Sequence, residues 1–88
     1  MINYLDNNNE IIKEGFYIQK ELNALFYFTG KYDIEEIPIF EIEGDYKRRY
    51  SLDENLIKQL FKLDKENVEE KMKESQEITT WIKRKLNK

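Results

Sequence analysis

Hydrophobic and polar positions alternate through the first half of the chain and step by three or four through the second. Alternation is the spacing of a strand with one buried face, and the longer step is that of a helix stripe. Three strands are expected. The first runs from about Glu10 to Ile18 and sets Ile12, Phe16 and Ile18 against Ile11, Lys13 and Tyr17. Asp6-Asn7-Asn8-Asn9 before it has the residues of a turn, and Tyr4-Leu5 suit a short extra strand across that turn. The second, about Ala24 to Tyr32, puts Ala24, Phe26, Phe28 and Tyr32 on one face; Leu25, Tyr27, Thr29 and Lys31 form a more polar face expected to be wet. The third, about Ile37 to Glu43, starts beside Pro38, which lacks an amide donor and favours an edge or a strand start. It resumes from Tyr46 to Tyr50 after a turn at Gly44-Asp45.

Beyond residue 50 the pattern changes. Ser51-Leu52-Asp53-Glu54 matches a capping box. The residues Leu56, Ile57, Leu60, Phe61 and Leu63 then give a broad stripe for a helix over about 52–63 that packs across the sheet. The five-residue step from Leu63 to Val68 breaks that stripe, and Asp64 can cap a second helix, about 65–86. Its stripe is narrow: Val68, Met72, Ser75, Ile78, Ile82 and Leu86, with Trp81 alongside. Such a helix either lies lightly on the fold or keeps its stripe for a partner, which admits a homodimer through the C-terminal helix. The expectation is α+β: a three-stranded antiparallel meander (about 10–50) followed by two helices (about 52–63 and 65–86). The 88 residues form a single domain with a β-rich half (1–50) and a helical half (51–88).

Composition reinforces this division. Nine of the twelve aromatics lie between Phe16 and Tyr50, with every Gly and the lone Pro before residue 51. Apolar residues at 40% are enough for a core despite 38% charge. With no Cys and no His, neither a disulfide, an ordinary zinc site nor a histidine acid–base is available. Gly15, Gly30 and Gly44 are too dispersed for a phosphate-cradling loop. No cofactor, metal or catalytic residue is expected. No apolar run nears the roughly 20 residues of a membrane span, and the first residues lack a signal-peptide pattern, so a cytoplasmic location is expected.

Three charged features remain. Asp33 to Asp45 contains six acids and no base (Asp33, Glu35, Glu36, Glu41, Glu43, Asp45). On an extended segment Glu41 and Glu43 share a face about 6–7 Å apart, which suits either docking on a basic partner or a charged edge that refuses other strands. Lys47-Arg48-Arg49, between Tyr46 and Tyr50, and Lys83 to Lys88 are basic clusters. The first has acids nearby as partners, and the second complements a helix C-terminus. Trp81 is placed either in the core or at a partner-facing hot spot.

The reading that follows is a small non-enzymatic protein-binding module: an adaptor, an antitoxin-like or immunity protein, or an inhibitor made by a phage or mobile element. It meets a basic protein surface through Glu36, Glu41, Glu43, Asp45, Tyr46 and Trp81. The alternative is nucleic-acid binding by Lys47–Arg49 and Lys83–Lys88, against which the net charge of −3 counts. A membrane partner is not expected, because four cations and one Trp fall short of stable anchoring.

Overall fold

The computed structural model describes residues 3–45 and 48–87. Along the chain come β1 (Gly15–Gln19), β2 (Ala24–Tyr32), β3 (Pro38–Ile42), β4 (Tyr50–Ser51), α1 (Glu54–Ile57), β5 (Leu60–Lys62), α2 (Lys65–Met72) and α3 (Gln76–Leu86). The fold is α+β. In place of a three-stranded meander, the described residues form a five-stranded sheet in the order β4-β3-β2-β1-β5, with every neighbouring pair antiparallel.

The strand β5 is the main departure from the sequence reading, because it lies inside the helix expected at 52–63. Asp53, not Ser51, caps α1, accepting from the Leu56 amide at 2.8 Å; Ser51 belongs to β4. The helix stops at Ile57, and Ile18 of β1 meets Phe61, with the Leu63 amide donating to the Phe16 carbonyl. A lone helix of a dozen residues is marginal, whereas the open edge of β1 offers a ladder at once. The ladder wins. The outer side of β5 is in turn covered where the Asn7 amide donates to the Leu60 carbonyl.

The helix expected at 65–86 is two. Ser75, placed by spacing in the apolar stripe, instead caps α3 by accepting from the Ile78 amide at 3.0 Å, and the Thr79 hydroxyl donates to the Met72 and Ser75 carbonyls. The break lets both Val68 of α2 and Trp81 and Ile82 of α3 reach the same face of the sheet.

Both faces of the sheet are therefore covered. On one, Tyr17, Phe26, Phe28 and Phe40 pack beneath Tyr4 and Ile12 of the N-terminal arm and Leu52 and Ile57 around α1. In that arm Leu5 and Ile11 make a single antiparallel bridge across the Asp6–Asn9 turn, the remnant of the extra strand foreseen there. On the other face Phe16, Leu25 and Tyr27 pack beneath Val68, Trp81 and Ile82. The expected pairing of Ile12 with Phe16 fails, since Ile12 joins Tyr17 on the first face. Nor is the Leu25–Tyr27 stretch of β2 wet: the α2–α3 hairpin buries both. Further along this face Thr29 is half-buried and Lys31 exposed.

Candidate functional site

The six acids of Asp33–Asp45 do not make one surface. Asp33, Glu35 and Glu36 precede β3 and Glu43 and Asp45 follow it, so the strand holds the two groups at opposite ends. Glu41 lies between them and is only 3% exposed. Its side chain is on the α3 face of β3, where one carboxylate oxygen accepts from the Trp81 indole N–H at 3.1 Å and the other from the Lys85 ammonium. A buried carboxylate needs such partners, and these consume it. Trp81 is fully buried, edge-on to Phe16, and is a core residue. Glu43 accepts from the Leu25 amide, and Asp45 accepts from the Tyr50 hydroxyl and the Arg48 amide. Tyr46 lies outside the described residues. Of the expected contact residues, Glu36 is the one that the structure places fully in solvent; Glu41 and Trp81 are withdrawn from it.

Glu36 sits on the β2–β3 tip, whose geometry is fixed by Asp33. The Asp33 amide donates to the Ile37 carbonyl and the Glu36 amide to the Asp33 carbonyl, both at 2.9 Å. One Asp33 carboxylate oxygen accepts from the amides of Ile37 at 3.0 Å and Glu35 at 2.8 Å, and the other from the Ser51 hydroxyl at 2.8 Å. The Ile37 amide, then the Ser51 hydroxyl, hold the Asp33 carboxyl below its ordinary range. Glu36 takes a left-handed backbone, φ 64°, which an L residue adopts at a cost. The tip so built carries Ile34 at 99% exposure between Asp33 and Glu35. Ile34 falls in the connection expected between Tyr32 and Ile37, where Asp33 is the residue type that favours a turn, but nothing in its type marks it as a contact residue. Leu22, 74% exposed on the β1–β2 turn, has a mixed setting beside Glu21.

A second feature adjoins the tip on the α3 face. Tyr27, Thr29 and Lys31 of β2, Ile39 and Glu41 of β3, Arg49 and Lys85 line a cleft of about 210 Å³. One cation from each expected basic cluster, Arg49 and Lys85, thus meets the other in a single place. Lys85 is committed to Glu41 and stands 5.4 Å from the Tyr27 ring. The Tyr27 hydroxyl donates to the Glu14 carboxylate, and burial, then the Glu41 charge, push its ionisation up.

Among the described residues no group of Asp or Glu could hold a metal ion, and no helix is long and apolar enough to cross a membrane. The chain matches no protein-family model, no curated protein and no solved structure.

Proposed function

We propose that the chain is a small non-enzymatic protein-binding module, of the adaptor or inhibitor kind, that docks through the β2–β3 tip. Its partner is a protein with an apolar pocket rimmed by basic side chains. The observation that carries this reading is the exposure of Ile34 on a turn locked by Asp33, with Glu35 and Glu36 beside it. An isoleucine side chain moved from water into a pocket gains about 1.5–3 kcal/mol, and a turn that is already rigid loses little freedom on binding. The two glutamates add steering toward a cationic rim.

A photo-crosslinking residue at position 35, which leaves Ile34 in place, tests the proposal. One discrete host protein should be captured, and purified with it the chain should lose about tenfold or more in affinity on Ile34→Ala. Glu35→Lys with Glu36→Lys should slow association. Affinity and association rate that are unaffected by these changes would overturn the reading.

The nucleic-acid alternative draws on the meeting of Arg49 with Lys85 in one cleft. It is the weaker reading, because Lys85 is neutralised by Glu41 and the chain carries net charge −3. A gel shift at low salt with micromolar protein decides it.

A further inference from the structure

The cleft beside the tip combines a spent floor with an unspent rim. The Thr29 hydroxyl donates to the Ile39 carbonyl at 2.8 Å and accepts from the Lys31 amide. The Tyr27 hydroxyl is engaged by Glu14, and both Glu41 oxygens are taken by Trp81 and Lys85. Among the described residues, neither the Lys31 ammonium nor the Arg49 guanidinium has an ion-pair partner. That is unexpected in a chain with 18 acids to 15 bases, where two neighbouring cations should easily find carboxylates. Arg49 and Lys31 reach the cleft from separate segments, so helix or strand periodicity does not account for their meeting.

We propose that this cleft binds a phosphate dianion, free or as a monoester, gripped by Lys31 and Arg49. The charge matches. With Lys85 and Glu41 cancelling, the cleft presents two positive charges, and a phosphate monoester carries about −1.5 to −2 at neutral pH. A guanidinium offers a fork of donors to phosphate oxygens, and an ammonium offers a point charge. The size also matches: about 210 Å³ falls below the roughly 300–1,000 Å³ of sites that enclose drug-sized ligands, so the cleft suits a phosphoryl group with its ester substituent left outside. This ligand site is separate from the tip and does not rest on the docking reading.

The test is a heteronuclear NMR titration of the full chain with inorganic phosphate, using acetate at matched ionic strength as control. The expected result is a saturable response of the Thr29, Lys31, Ile39 and Lys85 amides to phosphate and none to acetate. Lys31→Gln and Arg49→Gln, both at exposed positions that leave the spectrum of the fold intact, should each weaken binding about tenfold or more. Parallel titrations with O-phosphoserine and a 5′-mononucleotide identify the source: tighter binding of one ester than of free phosphate assigns that ester, and equal or weaker binding of both assigns the free ion. Equal responses to phosphate and acetate, or unchanged binding in the two Gln variants, would overturn the site.

Discussion

Glu41 shows how little a residue's type says about its place. It belongs to the acidic stretch Asp33–Asp45, and two-residue spacing puts it in register with Glu43, yet it is the anchor that fastens α3 to β3 through Trp81 and Lys85. Nothing local announces this, since the partners stand 40 and 44 positions away. Glu41→Ala should leave an indole N–H and an ammonium without an acceptor and cost about 3 kcal/mol in urea unfolding, near the lower end for a broken buried pair because Lys85 reaches solvent. Glu41→Gln, which keeps an acceptor for Trp81, should cost less. Gly15 is a second case. It holds φ 150°, and a Cβ there would sit 2.1 Å from the Lys62 ammonium, which donates to the Glu14 carbonyl and lies 4.8 Å from the Tyr17 ring. Gly15→Ala should destabilise by about 1–2 kcal/mol in the same assay, from the strained backbone and the displaced lysine. Ile34 was half legible: it falls in the expected connection between Tyr32 and Ile37, but its full exposure follows from the Asp33 carboxylate holding the Glu35 and Ile37 amides.

At the scale of elements, β2 and β3 were legible from alternation and turn residues, whereas the strand expected from about Glu10 begins only at Gly15; the turn at Gly44-Asp45 is present, closed by the Asp45 amide on the Ile42 carbonyl. What spacing could not rank was a helix against a strand where both patterns fit. Leu56, Ile57, Leu60 and Phe61 satisfy helical steps, but the vacant edge of β1 lies far away in sequence and decides the contest. The same limit applies to Ser75, whose hydroxyl suits a cap as well as a stripe. The two readings of Ser75 predict opposite signs. In a continuous helix Ser75→Ala would stabilise, since Ala is the better helix former; as the α3 cap, its loss should cost about 1 kcal/mol. Denaturant unfolding followed by circular dichroism reads that sign.

For the whole molecule, titration couples to stability at both ends of the pH range. Burial, opposed by a backbone hydrogen bond with Lys13, raises the Tyr17 ionisation, and burial with the Glu41 charge raises that of Tyr27. Below the unfolded value of 10.0 both phenols are neutral in either state; above it the unfolded chain sheds protons that the fold retains, so stability falls as pH rises. Lys62 has the opposite sign. Burial and the Lys13 charge lower its ionisation, so stability rises with pH between its depressed value and 10.5. Urea unfolding across about pH 8–11, a range that spans the ordinary Tyr and Lys values, should therefore show a steeper alkaline loss in Lys62→Met and a shallower one in Tyr17→Phe. At the acid end, the depressed Asp33 contributes stability that is present above its ordinary 3.8 and lost as pH falls through its native value. The two-sided cover of the sheet has a last consequence. With the N-terminal arm sealing one broad side and the helical hairpin most of the other, this molecule has almost no plain wall left to lean against another body; its encounters are confined to corners and crevices, and surveys of its chemistry should begin at the margins of the sheet rather than its centre.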